Sequence, residues 1–392
     1  MTESIVLDVL LVVMLVGYVA YGFRNGLSHA LFAFAGVVGG VVAAFFLVPL
    51  VASWVPFPAL RPIATVISVV GLIALGNVIG SAIGRSARRG VEDGPLSGLD
   101  RLLGGLATGV AAALIASVVG VSVGGLGVPV LSRAIAGSTV LRTISAVTPD
   151  PVEAWLAQVR GVVLESGLPV ITEALGIDEP VIPSIDGGSP ALTQAAQSVV
   201  RITGNAYACG VAQAGSGFVV SDDRVVTNAH VLAGVTEPVV EAPNGETLPG
   251  AVVYFDPVDD LAVIAVPGLS AAALPLGDTV PPGTDAAVQG YPYGGPFVSG
   301  AAGVMSVRTT DIEDIYGQSR SPREVYTLAS DIREGNSGGP LLSLDGEVIG
   351  VVFARNADNP TVGYAMTITE LDPVAAQAPT LSEPVSTGAC ST

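Results

Sequence analysis

The chain has 392 residues, half of them hydrophobic and only 13% charged, with a mean hydropathy of +0.64. That balance excludes a wholly soluble protein and leaves room for two or three domains. Residues 1–126 carry six arginines against five acids, about +1, whereas residues 127–392 carry ten against twenty-nine, about −19. An acidic part of this kind repels phosphates, so no nucleic-acid partner is expected. Two cysteines are too few for a four-ligand zinc site, and no metal or other cofactor is expected. All sixteen basic residues are arginine, which excludes a lysine general base.

Four apolar stretches, Ile5–Phe23, Ala30–Val55, Ala64–Ile83 and Leu102–Leu126, approach or exceed the ~20 residues that cross a bilayer. The first is not a cleavable signal, because its leading flank is acidic and Arg24 follows it. Asp8 lies near its outer end and is given no role. The loops with Arg24 and with Arg85, Arg88, Arg89 and Arg101 are the basic ones, and the loop between them holds only Arg61. The positive-inside rule then places both termini, and everything after residue 126, outside the cytoplasm. Gly76, Gly80 and Gly84, and Gly105 and Gly109, recur every four residues, the spacing that lets helices approach closely. With the segment Tyr21-Gly-Phe-Arg-Asn-Gly-Leu27, the four spans resemble the colicin V production protein family.

Residues 127–197 read as a connector. Val152, Trp155, Leu156, Val159, Val162 and Val163 have helical spacing within Pro151–Gly167, predicting an amphipathic helix. Pro180, Pro183, Gly187, Gly188 and Pro190 mark an extended tether. From Ser198 short β-rich runs follow, from Val199–Thr203 to Gly363–Met366, separated by turns such as Asn244-Gly and Asp345-Gly.

Three motifs in this region carry chemistry. Val226-Thr-Asn-Ala-His-Val231 supplies His230, and the other histidine, His29, falls among the spans. Asp256-Pro-Val-Asp-Asp-Leu-Ala-Val-Ile264 supplies a carboxylate at the head of a strand. Arg333-Glu-Gly-Asn-Ser-Gly-Gly-Pro-Leu341 places Ser337 in a glycine turn. A serine hydroxyl needs a base to become a nucleophile, and the base needs a carboxylate to fix its tautomer. His, Asp, Ser is the chymotrypsin-type order. Asp259 and Asp260 point to opposite sides of a strand, so only one can face His230; Asp260 is chosen because it abuts Leu261, and Asp256 and Asp259 are read as turn residues. The N–H groups of Gly335 and Ser337 are the expected oxyanion donors. Asp331, six residues before Ser337, is a candidate for selecting basic side chains in the S1 pocket. The expected architecture is a four-helix transmembrane domain (1–126), the connector (127–197), and an all-β chymotrypsin-like double-barrel protease domain (198–392).

Residues 198–370 resemble the HtrA/Deg branch of trypsin-like proteases through Gly215-Ser-Gly-Phe-Val219, Gly290-Tyr-Pro292 and Gly303-Val-Met-Ser306. Asn336 replaces the activation aspartate of chymotrypsin, so activation by a new N-terminus is not expected, and no PDZ domain is expected after the last strand. Spans, linker, protease and Cys390 together resemble the membrane-anchored acid-resistance serine proteases of mycobacteria and other actinobacteria. That resemblance implies a periplasmic endopeptidase acting in acid or oxidative stress on protein substrates such as cell-wall hydrolases. An oxidising compartment favours a disulfide between Cys209 and Cys390, with two unpaired thiols as the alternative. The competing functional reading is an inactive protease-fold scaffold or sensor that binds envelope proteins. An ordinary histidine, with a pKa of ~6.5, is mostly protonated at pH 5, so work in acid requires either surroundings of His230 that oppose the imidazolium or an external space nearer neutral.

Overall fold

A computed structural model describes residues 2–54, 71–72, 74–86, 97–124, 134–135, 137–149, 152, 169–171, 180–206 and 211–391. Apart from Val152, the expected amphipathic helix at 151–167 lies outside these residues, as do Cys209, Arg61, Arg88 and Arg89. By internal contacts the chain divides into Val9–Ala116 and a second unit of Met1–Asp8 with Ser117–Thr392.

In the first unit, the helical run Thr2–Trp54 breaks at Gly26, whose φ of +76° suits a residue without a Cβ. The helix that resumes there is capped by Asp100, which accepts from the Ser28 N–H at 3.0 Å and its hydroxyl at 2.7 Å. Two helical stretches, Ser4–Val37 and Ser97–Gly120, are long and apolar enough to cross a membrane. Their side chains are exposed where they are apolar, as with Val13, Val16, Leu106 and Ile115, the pattern of surface meant for lipid. A Cβ on Gly36 would collide with the Gly76 carbonyl, and one on Gly80 with the Phe32 carbonyl. The expected glycine spacing thus marks close backbone approach between helical residues 74–86 and the run before them.

In the second unit, Asp8 has a role the sequence reading did not give it. Its carboxylate accepts from the Ser138 hydroxyl and from the N–H groups of Thr139 (3.1 Å) and Val140 (3.3 Å). It therefore caps the helix Thr139–Val147 together with Ser138, satisfying donors that an N-terminus leaves open.

Among the described residues, fourteen strands follow this helix. One seven-stranded sheet has the order β6-β5-β2-β3-β4-β8-β7. Its members are β2 (Val199–Ala206), β3 (Val211–Ser221), β4 (Arg224–Thr227), β5 (Val239–Glu241), β6 (Thr247–Pro249), β7 (Ala251–Asp256) and β8 (Leu261–Ala265). The other has the order β1-β13-β12-β9-β10-β11-β14. It comprises β1 (Val170–Ile171), β9 (Asp285–Gly290), β10 (Val298–Glu313), β11 (Arg320–Ala329), β12 (Pro340–Ser343), β13 (Val348–Asn356) and β14 (Val362–Thr367). A β13–β14 pairing closes six of these strands into a barrel.

Each sheet has its own apolar interior, around Val200, Ile202 and Ile264 in one and Val288, Leu328 and Leu341 in the other. A third cluster, with Phe218 and Leu261 from one sheet and Val351 and Met366 from the other, joins them. Burying one such side chain stabilises by ~1.5–3 kcal/mol. Chain packed with this core begins before Ser198: in the helix Pro190–Ala195, Leu192 and Ala195 are buried, and the Leu192 carbonyl accepts from Gln289 at 2.8 Å. The tail returns to the first sheet, with Val385 N–H donating to Val252 at 2.8 Å and the Thr387 hydroxyl to Val235 at 2.9 Å.

Candidate active site

His230 sits on a short helical turn, Ala229–Leu232, directly after β4. Asp260 precedes β8, and β8 pairs with β4, so the two motifs meet although thirty residues separate them. The Asp260 carboxylate takes two bonds from one residue: His230 N–H at 2.9 Å and His230 Nδ1 at 2.8 Å. Asn228 Nδ2 holds the Asp260 carbonyl at 2.9 Å. Asp260 itself has φ of +56°, a left-handed conformation that Asp tolerates better than most residues and that aims its carboxylate inward. Both partners are buried. With Nδ1 donating to the carboxylate, Nε2 is left as the proton acceptor.

Ser337 lies in the turn between β11 and β12. The turn is fixed from both sides. Arg333 N–H donates to Asn336 Oδ1 at 2.9 Å, and Asn336 N–H to the Arg333 carbonyl at 3.0 Å. Ser216, on β3, donates its hydroxyl to the Gly335 carbonyl at 2.7 Å and its N–H to the Ser337 carbonyl at 2.8 Å. The Glu334 carbonyl is taken by Tyr293 N–H at 2.6 Å. Since carbonyl and N–H of one peptide point in opposite directions, the Gly335 N–H faces the other way, and no described acceptor takes it or the Ser337 N–H. Those two donors are what an oxyanion requires. Gly335 has φ of +89°, and a Cβ there would collide with the Tyr291 carbonyl, so the turn excludes a side chain at that position. Ser337 Oγ and His230 Nε2 are both buried, and neither has a hydrogen-bond partner among the described residues. Catalytic hydrogen bonds commonly tighten only when substrate binds.

The acids upstream of Asp260 build the turn. Asp256 Oδ1 accepts from the N–H groups of Val258 (2.8 Å) and Asp259 (3.1 Å), and Asp256 Oδ2 accepts from the Tyr254 hydroxyl at 3.1 Å. Burial, followed by the Asp256 charge, pushes the Tyr254 phenol up to about 12. Burial, then Asp256, raises the Asp259 carboxyl above its ordinary range. The Asp331 carboxylate lies 2.6 Å from Arg333 Nε and 2.9 Å from Nη2, half-exposed to solvent. Among the described residues no group of three or more metal-ligating side chains gathers. Ser216 and Tyr291, which hold the serine turn, were not singled out from sequence; Ser216 lies within the Gly215-Ser-Gly motif, where its type alone does not announce a link to a turn 119 residues away.

Comparison with known proteins agrees with this geometry. Residues 215–351 match the trypsin-like peptidase domain, and residues 7–149 match the colicin V production protein family. Serine protease Rv3671c of Mycobacterium tuberculosis strain H37Rv is 32% identical over 405 residues, spanning all of both chains. The crystal structure of the active form of the M. tuberculosis Rv3671c protease is 36% identical, with a TM-score of 0.52, over 57% of this chain and 100% of that one. Putative serine protease HhoB of Synechocystis is 36% identical over 157 residues, 39% of this chain and 37% of that protein.

Proposed function

Because the chain belongs to the family of the M. tuberculosis serine protease Rv3671c, we propose that His230, Asp260 and Ser337 form its catalytic triad. The protein is a serine endopeptidase. His230 Nε2 takes the Ser337 proton as Oγ attacks the scissile carbonyl; the oxyanion is held by the N–H groups of Gly335 and Ser337. His230 then protonates the leaving amine, and water, deprotonated by the same nitrogen, releases the acyl group. Asp260 keeps the imidazole in the required tautomer and stabilises the imidazolium. The observations that carry this reading are the doubly bonded His230–Asp260 pair and a serine turn that packs at Gly338 against Asn228, two residues before His230, with the N–H groups of Gly335 and Ser337 taken by no described acceptor.

Four spans with outward termini would place the protease outside the cytoplasm, supported by the two apolar helices and the match to the colicin V production family. A Cys209–Cys390 disulfide fits that compartment, since these are the two cysteines of the chain. A role in acid or oxidative stress, with cell-wall hydrolases among the substrates, rests on the resemblance to the actinobacterial family. Asp331 is proposed to have no part in S1 selection, since Arg333 neutralises it. The test is turnover of an unfolded protein substrate by the full chain in detergent. Cleavage by the parent and none by Ser337→Ala is expected; equal cleavage by both would overturn the reading.

A further inference from the structure

A cavity of about 360 Å³ opens beside the triad, with His230 and Asp260 on its wall. Arg323, on β11, also lines it and is only 1% exposed. Its guanidinium carbon stands 5.5 Å from the centre of the Phe353 ring, and its Nη2 donates to the Glu313 carbonyl at 2.7 Å. Its Nε and Nη1 have no acceptor among the described residues. A buried cation with so few hydrogen bonds has to be held by opposite charge, because burial alone works against it. Burial does lower its pKa, and four carboxylates oppose that effect, Asp260 most, then Asp259, Glu370 and Asp256.

The remaining charged groups around the cavity are Arg308, Asp311, Glu313, Asp314 and Arg320 on the β10–β11 hairpin. Arg320 is paired with Glu313 at 2.8 Å, and Asp314 is held below the usual carboxylate range by the Ser319 hydroxyl and neighbouring N–H groups. Asp311, Glu313, Asp314 and Arg320 lie toward the exposed end of the hairpin, whereas Arg308, opposite Val325, is half-buried, and Arg323 lies beneath Phe353 and out of water. Charge in such a water-excluded place acts over a longer range than charge at the surface.

We propose that Arg323 is a positioning residue of the triad: its buried cation balances the Asp260 carboxylate and opposes proton capture by His230, extending the working range of the enzyme toward acid. Both Asp260 oxygens already bond His230, so Arg323 acts on the pair through space. The sign follows from Coulomb's law. A fixed positive charge disfavours the imidazolium and favours the carboxylate, and both effects preserve the active ionisation state as pH falls. The inference rests on the triad reading given above.

The experiment is kcat/KM against pH, from 4.5 to 8, for the full chain in detergent acting on a chromogenic peptide. Arg323→Met, which keeps the bulk and removes the charge, should move the acidic limb upward by about one pH unit with little change on the alkaline plateau. Arg323→Lys should return the limb toward the parent position. Glu370→Gln, which leaves the barrel interior intact, should move the limb downward by about 0.2–0.3 unit, and it carries the test if Arg323→Met does not fold. A parent with Ser337-dependent turnover whose limb stays fixed in these variants overturns the inference and leaves the triad standing. A parent without Ser337-dependent turnover overturns both.

Discussion

In residues 9–116 the backbones meet at positions without side chains: Gly36 against Gly76, Gly80 against Phe32, Gly22 against Gly104 and Thr108. In residues 190–391 they meet through side chains, with Phe218, Leu261, Val351 and Met366 joining two sheets and Ser216 tying a strand to the serine turn. The first region is specified by where side chains are missing, as expected where lipid offers no hydrophobic force between helices. The second is specified by what particular side chains bond, and there Ser337 Oγ and His230 Nε2 are buried with no hydrogen-bond partner among the described residues. Chemistry is therefore concentrated in the region whose interior can afford fixed dipoles.

Substitutions at the triad should break this contrast most visibly. Asp260→Asn preserves shape but releases the His230 tautomer, and kcat should fall by about 10⁴-fold with folding retained, measured by peptide turnover alongside circular dichroism. Gly335→Ala places a Cβ against the Tyr291 carbonyl and displaces an oxyanion donor; a loss of about 10²–10³-fold in kcat is expected, larger than its effect on KM. Cys390→Ser leaves the triad untouched. If Cys390 pairs with Cys209 it opens a loop of about 180 residues, worth at most ~4–5 kcal/mol on the chain-entropy model. A lower melting temperature under non-reducing conditions is expected, and the difference from the parent should vanish under reductant. In the membrane region, Gly36→Leu should force two backbones apart and lower thermal stability in detergent, while leaving kcat within about twofold. Asp331→Ala is the smallest change: the preference between arginine and leucine at P1 should stay as in the parent, because Arg333 already neutralises that carboxylate.

Much of the site was legible in sequence because its parts lie in short motifs. The choice of Asp260 over Asp259 rests on its place directly before Leu261; both are turn residues rather than strand residues, and it is the left-handed backbone of Asp260 that goes with its bonds to His230. The Asp256 turn follows from an aspartate ahead of a proline. The strands rich in Val and Ile, such as 199–203, 261–266 and 348–353, were equally plain. Four short strands, Val170–Ile171, Val239–Glu241, Thr247–Pro249 and Pro340–Ser343, were not, because two to four residues carry too little periodicity. The length of the β10–β11 hairpin was missed for another reason: the inward positions of its outer half, such as Arg308, Thr310 and Arg323, are mostly polar, so their alternation with exposed positions gives no hydropathy signal. Residues 190–195 looked like part of a tether because Pro190 follows a glycine pair; Pro190 is in fact within the first turn of a helix capped by Ser189, where proline is well tolerated. Asp8 and Arg323 share a cause. Each is a charged residue in an apolar setting whose partners, Ser138 and the acids around Asp260, are distant in sequence.

The central claim is that Ser337 is an activated nucleophile. Its most direct test is the intact mass of the full chain after exposure to a fluorophosphonate, with the modified residue located by peptide mapping. One adduct per chain, on Ser337 and abolished by His230→Ala, is the predicted result. A folded, oxidised chain that takes up no adduct, or takes it up equally in the His230→Ala variant, would contradict the account.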